Sequence, residues 1–231
     1  MTNDDFGPAY YARRADALGW GAAHAPDPEK LAFLRAHAMG ERVLDIACGP
    51  GVYAAALATA QRRVIGLDFS AALLRSGRAH HREWWPVAAS GMRLPMRDKA
   101  ADCACLLSVL EHVDDAALLA ETVRVTRRRI IVQVPLAEPP LLEQMGLLFS
   151  HWSDRSHLRT YSEDSLRALA AQAGWRVTVY QPAYHRDLQE LFVRGLRAPD
   201  VVRNALRAAL KPLRPLGTMP AAEAFAVLEP R

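Results

Sequence analysis

The chain has 231 residues, of which 51% are hydrophobic and 23% are charged. This composition supports one folded domain with a sizeable core, spanning 1–231, and excludes a disordered protein. The formal net charge of +4 comes from 29 basic residues, all arginine except Lys30, Lys99 and Lys211, against 25 acids. So mild an excess does not by itself indicate a nucleic-acid binder.

Three further classes are excluded by simple patterns. No apolar run approaches 18 residues, so no membrane span is expected, and the acidic start Met-Thr-Asn-Asp-Asp does not resemble a secretory leader. The three cysteines, Cys48, Cys103 and Cys105, lack the paired spacing of a zinc site, so no metal and no disulfide framework are expected. The sequence therefore predicts a soluble, cytoplasmic protein.

The first part of the chain alternates between helical and extended patterns. We predict lid helices over 1–40, in which Tyr10 and Tyr11 could cover a ligand. Further along, the predicted helices are Pro28–Met39, Val52–Thr59, Ala71–Arg78 and Ala116–Thr126, and the predicted strands are Arg42–Ala47, Val64–Asp68, Cys103–Val109 and Ile130–Pro135. Continuous apolar strands that alternate with helices are typical of a parallel sheet covered on both faces.

The later chain repeats this alternation of helix and strand once. Ser162 is a good N-cap, Gly174 is placed to end the helix that follows it, and strands are predicted at Trp175–Tyr180 and Glu223–Leu228. Between these strands, residues 184–220 hold seven basic and three acidic residues and several prolines. We predict that 184–220 is a basic helical insertion over the sheet, with residues 136–160 as a second irregular connection.

A glycine-rich turn is the most informative feature of the chain. The strand Val43–Ile46 runs into Gly49 and Gly51, and a helix follows at once. Asp68 comes 19 residues after Gly49 and is placed to accept hydrogen bonds from ribose hydroxyls. The pattern would also pass for a dinucleotide site, but Asp45 at this turn would repel a phosphate and attract a cation. S-adenosylmethionine, which carries an ammonium and a sulfonium, fits such a turn.

These segments resemble the class I S-adenosylmethionine-dependent methyltransferases of the small-molecule type. The matching stretches, in order, are VLDIACGPG (43–51), VIGLDFS (64–70), LPMRD (94–98), SVLEHV (108–113), HLRTYS (157–162) and AGW (173–175). The resemblance covers about residues 40–181. It implies a doubly wound, Rossmann-like, mostly parallel seven-stranded α/β sheet with helices on both faces and an antiparallel last strand.

The resemblance also implies the cofactor, S-adenosylmethionine, and its binding residues. These are Asp45, Ala47, Gly49, Gly51, Asp68, Phe69, Ser90, Gly91, Met92, Ser108 and His112. Ser90 departs from the pattern, because relatives carry an acid there for the adenine amino group. A hydroxyl makes a weaker hydrogen bond than a carboxylate.

The acceptor is expected to be a small molecule, methylated at oxygen or carbon. His112 and His157 are candidate bases, because imidazole titrates near neutral pH. The candidate substrate residues are Tyr11, Trp152, His157, Tyr161 and Tyr184. The stretch after the fourth strand lacks the Asn/Asp-Pro-Pro-aromatic motif of nucleic-acid amino methylases, so no nucleic-acid partner is expected.

Two alternatives stay open on the sequence. One is a noncatalytic protein that binds S-adenosylmethionine, and the other is an NAD-dependent oxidoreductase. The insertion 184–220 could meet an acidic carrier protein or an anionic surface. The oligomeric state does not follow from the sequence.

Overall fold

The structure is a computed structural model. It describes residues 7, 9–11, 13, 21–137, 156–187, 193, 198–212 and 218–231. The strands are β1 (Arg42–Ile46), β2 (Arg63–Asp68), β3 (Trp85–Ala88), β4 (Ala101–Leu107), β5 (Thr126–Pro135), β6 (Trp175–Asp187) and β7 (Thr218–Pro230). The helices are α1 (Pro28–His37), α2 (Val52–Leu57), α3 (Ala71–His80), α4 (Asp115–Val125), α5 (Glu163–Gln172) and α6 (Asp200–Leu210).

The seven strands form one sheet in the order β3-β2-β1-β4-β5-β7-β6. Strands β1 to β5 pair in parallel, while β7 runs antiparallel to both β5 and β6. The chain moves outward from β1 to β3 and then returns to place β4 on the other side of β1. The predicted α/β fold is confirmed, and the reversal between β1 and β4 opens the crevice where such sheets bind ligands.

Alternate residues of each central strand enter two separate cores. Val43 packs with Phe33 and Leu34 of α1, while Leu44 packs with Leu118 of α4. This alternation follows from the two-residue period of a strand, and it places helices on both faces of the sheet. Cys103 and Cys105 are fully buried on the α1 side, so the prediction that they pack in the core is confirmed.

Side-chain caps start three of the helices where the sequence places them. Ser70, Asp114 and Ser162 each accept a hydrogen bond from the backbone N–H three residues ahead. At Ser162 the bond is reciprocal, because Ser165 Oγ accepts from the Ser162 amide at 2.9 Å. Gly174 follows α5 with a φ of +75°, which glycine adopts without steric cost.

Several predicted boundaries were wrong. β6 and β7 extend to Asp187 and Thr218, which pair with each other, so the connection between them is 188–217 rather than 184–220. β4 ends at Leu107, two residues before the predicted end at Val109, and Leu110–His112 form a 3₁₀ turn after it. β3 was not among the predicted strand ranges; it has only four residues, is partly exposed and contains a proline, which is uncommon inside a strand.

The N-terminal prediction is only partly covered by the described residues. Residues 9–11 and 13 are helical, and α1 ends at His37. In the part of the chain that the structure describes, no helix has both the length and the apolar character to cross a membrane.

Candidate functional site

A cavity of about 560 Å³ opens at the carboxyl ends of the central strands. It lies between the turns that follow β1, β2, β3 and β4. Twelve of the predicted site residues line it: Tyr11, Asp45, Ala47, Gly49, Asp68, Phe69, Ser90, Gly91, Met92, Ser108, His112 and His157. The fold thus gathers residues from six separate segments around one space.

The turn after β1 is built from left-handed backbone. Ala47, Gly49 and Gly51 have φ values of 59°, 55° and 70°. A Cβ added at Gly51 would lie 2.3 Å from the buried ring of Trp84, so this position has no room for a side chain. Gly51 is the N-cap of α2 and does not line the cavity itself. Its role is to turn the chain so that the backbone of Gly49 reaches the cavity.

Asp68 fastens this turn to the end of β2. Its carboxylate accepts a hydrogen bond from the Gly49 amide at 2.8 Å and another from the Ser70 amide at 2.7 Å. Burial raises the pKa of Asp68, and these two hydrogen bonds oppose the shift. Each carboxylate oxygen has a second lone pair. The residue can therefore hold the glycine turn and still accept from hydroxyl groups in the cavity.

Asp45 is the most perturbed acid in the cavity. It is 2% exposed, and its Oδ1 has no hydrogen-bond partner among the described residues. Burial raises the pKa of Asp45 to about 7, although the charge of Lys30 acts in the opposite direction. A buried carboxylate oxygen without a hydrogen-bond partner costs free energy. A cation bound beside Asp45 would relieve that cost.

Lys30 is a cavity residue that the sequence analysis missed. It lies in the first turn of α1, and its ammonium is 4.9 Å from the centre of the Tyr53 ring. Burial lowers the pKa of Lys30, while the nearby acids Glu223, Asp27 and Asp45 raise it. No local signal marks this lysine, because its place near Asp45 depends on how α1 packs on the sheet.

The loop after β3 forms a second wall of the cavity. Ser90 Oγ accepts a hydrogen bond from the Met92 amide at 3.2 Å, and the Met92 side chain is exposed. A Cβ added at Gly91 would lie 3.0 Å from Leu118 Cδ1. The loop therefore lies close against α4 and presents Ser90 and Met92 to the cavity.

Two histidines form the wall opposite the glycine turn. The rings of His112 and His157 meet edge to face, with their centres 4.7 Å apart. His112 Nδ1 lies 3.0 Å from Ser156 Oγ, and Tyr11 packs edge to face against both His112 and Phe69. Tyr11 thus spans from the β2 end of the cavity to the histidines.

Two predicted substrate residues have other positions. Tyr161 is buried and donates a hydrogen bond to Asp115 at 2.8 Å, and Tyr184 donates to Asp27 at 2.7 Å. Neither tyrosine lines the cavity. Both hydroxyls instead tie neighbouring elements together, a role that sequence spacing cannot distinguish from substrate binding. Trp152 lies outside the described residues.

Comparisons with known proteins agree with this geometry. Residues 20–179 match the family described as methyltransferase domain. A demethylmenaquinone methyltransferase of Beutenbergia cavernae is 32% identical over 165 residues, which cover 62% of this chain and 68% of the relative. The ubiquinone biosynthesis O-methyltransferase of Methylococcus capsulatus is 32% identical over 107 residues, covering 41% of this chain and 43% of that protein.

A solved structure supports the same fold. The S-adenosylmethionine-dependent methyltransferase of Archaeoglobus fulgidus superposes with a TM-score of 0.62 at 17% identity, covering 95% of this chain and 99% of that one. The curated relatives are matched over part of their length, from 38% of one demethylmenaquinone methyltransferase to 68% of another. The family match covers most of the chain and agrees with the motifs around the cavity. The chain therefore belongs to the family of S-adenosylmethionine-dependent methyltransferases.

Proposed function

We propose that the protein transfers a methyl group from S-adenosylmethionine to an oxygen or carbon of a small, ring-bearing acceptor. The observation that carries this proposal is the buried carboxylate of Asp45, which lines the cavity with one oxygen unpaired among the described residues. A phosphate-bearing cofactor such as NAD would be repelled there. A cofactor with an amino-acid end would be attracted.

The cavity residues fit the parts of S-adenosylmethionine. Asp45 would hold the ammonium, and Lys30 on the opposite side would hold the carboxylate of the same amino-acid group. Asp68 would accept from the ribose hydroxyls, and Ser90 and Met92 would border the adenine. When bound, the cofactor supplies a methyl group on a sulfonium, which is a good leaving group.

The chain's own residues would align the reactants and exclude water. Tyr11, packed against Phe69 and His112, covers the cavity from the N-terminal side. His112 is held through its Nδ1 by Ser156 Oγ at 3.0 Å, which fixes the orientation of the imidazole ring at the cavity. His112 or His157 would accept a proton from a hydroxyl acceptor.

The acceptor class is inferred from the lining and from the relatives. Tyr11, His112 and His157 give the cavity aromatic and hydrogen-bonding character, which suits a hydroxylated ring. Two relatives are named for demethylmenaquinone and ubiquinone, both of them quinones. We therefore place the acceptor among quinols or related ring metabolites.

The helix α6 suggests where a lipophilic or carrier-bound acceptor would be delivered. Its side chains Val201 and Val202 are 81% and 45% exposed, and Arg203, Arg207 and Lys211 follow on the same segment. An anionic membrane surface or an acidic carrier protein would complement this combination. Turnover would then depend on ionic strength, whereas a free neutral acceptor would react almost independently of salt.

The proposal is tested by binding and turnover with the same preparation. Calorimetry should show binding of S-adenosylhomocysteine and none of NAD. Asp45→Ala and Asp68→Ala should each weaken the binding of S-adenosylhomocysteine about tenfold to a hundredfold, since each removes a charge-assisted contact. Asp164→Ala, which removes an exposed acid from α5, is the matched control.

Turnover should be measured with radiolabelled S-adenosylmethionine and two probes, a short-chain demethylmenaquinol and a hydroxylated benzoquinol. Label in either product supports the acceptor class. If the cofactor binds tightly but neither product carries the label, a noncatalytic binding protein is favoured. Equal affinity of the parent, Asp45→Ala and Asp68→Ala would show that the cofactor site is assigned wrongly.

A further inference from the structure

We propose that Glu111, His112 and His157 form a binding site for a divalent transition-metal ion on the acceptor side of the cavity. Each residue offers one ligand atom, and these three atoms lie within 4.8 Å of one another. Glu111 is 2% exposed, and the two histidines are partly buried. The sequence analysis expected no metal, because it considered only cysteine spacing.

The backbone holds the three residues in place before any ligand arrives. Glu111 and His112 belong to the 3₁₀ turn after β4. The segment that carries His157 is fastened to that turn by the two residues that follow His157. The Leu158 amide donates to the Glu111 carbonyl at 2.7 Å, and the Arg159 guanidinium donates to the carbonyls of Leu110 and Val113. A site whose ligands are fixed in this way loses little conformational freedom on binding.

The hydrogen bond to His112 also selects the nitrogen that would bind metal. Its Nδ1 lies 3.0 Å from Ser156 Oγ and 3.3 Å from the Ser156 carbonyl. A histidine that donates from one nitrogen to a carbonyl or hydroxyl presents the lone pair of the other, as metal-bound histidines do. Here that other nitrogen, Nε2, faces Glu111 Oε1 across 3.9 Å.

The distance between His112 Nε2 and Glu111 Oε1 suits two ligands of one ion after a small movement. Bonds of about 2.0–2.2 Å to nitrogen and oxygen place neighbouring ligand atoms about 3.3–3.6 Å apart in a tetrahedral site. At 3.9 Å, Nε2 and Oε1 need to approach by only a few tenths of an ångström. Rotation of the Glu111 carboxylate about its terminal torsion would supply part of that change.

The donor set points to the class of metal. Two imidazoles and one carboxylate suit Zn²⁺, Co²⁺ or Fe²⁺ and leave one or more positions open. Mg²⁺ and Ca²⁺ prefer oxygen ligands and would bind more weakly. One carboxylate balances half of the charge of a divalent ion, so the site would favour an anionic oxygen as a further ligand.

The position of the site gives the ion a role that rests on the proposed function. His112 and His157 line the same cavity as the cofactor residues. With the ion bound, His112 and His157 would act as its ligands in place of the base role proposed above. An acceptor hydroxyl bound at an open position would have its pKa lowered, and its proton would pass to water. The resulting oxygen anion is the nucleophile that methyl transfer to oxygen requires.

The test is a titration of the metal-free, tag-free protein with Co²⁺, followed by absorption in the visible region. We expect one equivalent to bind and to give the intense bands of a four- or five-coordinate ion, and Zn²⁺ to displace it. His157→Gln and Glu111→Gln should each lower the affinity for Co²⁺ at least tenfold. His80→Gln, at an exposed histidine of α3, should change nothing.

Two results would overturn the proposal. One is the weak spectrum of hydrated Co²⁺ throughout the titration of the parent protein. The other is a Co²⁺ affinity that His157→Gln leaves unchanged while circular dichroism shows the variant folded. Because Glu111 is buried, His157→Gln serves as the decisive variant if Glu111→Gln does not fold. The spectrum needs neither cofactor nor acceptor, so a failure of the proposed methyl transfer would be seen separately.

Discussion

At the scale of single residues, the cavity concentrates unsatisfied charge. Asp45 is buried and Lys30 is half-buried, and burial shifts the pKa of each toward its neutral form. Protein interiors tolerate such groups when a ligand or a partner compensates them. The pH dependence of ligand binding should therefore report on Asp45 directly.

We expect the affinity for S-adenosylhomocysteine to rise between pH 6 and pH 8. The pKa of Asp45 is about 7 in the free protein, and the ligand's ammonium binds the ionised carboxylate. Below pH 7 a proton must first leave, so affinity should fall up to tenfold per pH unit. Calorimetry in two buffers with different ionisation enthalpies should show proton release near pH 7. Asp45→Asn should remove both effects.

The raised pKa of Asp45 also predicts how the stability of the protein depends on pH. A carboxyl whose pKa is raised in the folded state stabilises the fold at low pH, and this stabilisation is lost as pH rises from about 4 to 7. Asp45→Asn should therefore gain several degrees in Tm relative to the parent at pH 8 but not at pH 4. An identical Tm difference at both pH values would contradict the raised pKa.

Ser90 allows a gain of affinity to be tested. Its hydroxyl lines the cavity and accepts from the Met92 amide. Ser90→Asp keeps an acceptor for that amide and adds a charge-assisted contact to the adenine amino group. We expect S-adenosylhomocysteine to bind equally well or up to about tenfold tighter, and Ser90→Ala to bind less tightly. A tenfold loss in a folded Ser90→Asp variant would show that adenine does not meet this side chain.

At the scale of elements, the site depends on how closely α3 approaches the glycine turn. A Cβ added at Gly77 would lie 1.8 Å from the Pro50 carbonyl oxygen, which belongs to the turn. Backbone cannot move away as a flexible side chain can. The missing side chain at Gly77 is therefore what lets α3 pack against the turn that ends at Gly51.

We expect Gly77→Ala to destabilise the protein by more than about 2 kcal/mol, even though alanine normally favours a helix by about 1 kcal/mol over glycine. The affinity for S-adenosylhomocysteine should also fall in Gly77→Ala, because the glycine turn after β1 must shift to make room for the new side chain. Urea unfolding measures the first effect and calorimetry the second. Ser76→Ala, at an exposed position on the same helix, should leave both unchanged.

At the scale of the whole molecule, the described residues that line the cavity come from a different part of the sequence than the β6–β7 connection. The cavity residues come from 11–157, whereas the connection spans 188–217. Because Asp187 pairs with Thr218, a two-residue Asn-Gly turn could join the two antiparallel strands directly.

Replacing 188–217 by that turn should preserve binding of S-adenosylhomocysteine. Methyl transfer to the protein's acceptor should fall sharply, since the connection includes α6, where we propose that the acceptor is delivered. A trimmed protein that folds and keeps full turnover would show that the connection does not select the acceptor.

The sequence by itself determined the fold and most of the predicted residues that line the cavity. Strand and helix patterns are local, and the residues Asp45, Gly49 and Asp68 lie at strand ends that a parallel sheet always brings to one edge. Their places in the cavity therefore follow from the order of elements alone.

Only the tertiary structure decided the rest. Lys30 reaches the cavity because α1 packs on the sheet, and His157 lies beside His112 because backbone hydrogen bonds fasten its segment to the turn after β4. Tyr161 and Tyr184 bond to distant aspartates for the same reason, and they do not line the cavity. Contacts between residues far apart in the chain depend on packing, and no local pattern encodes them.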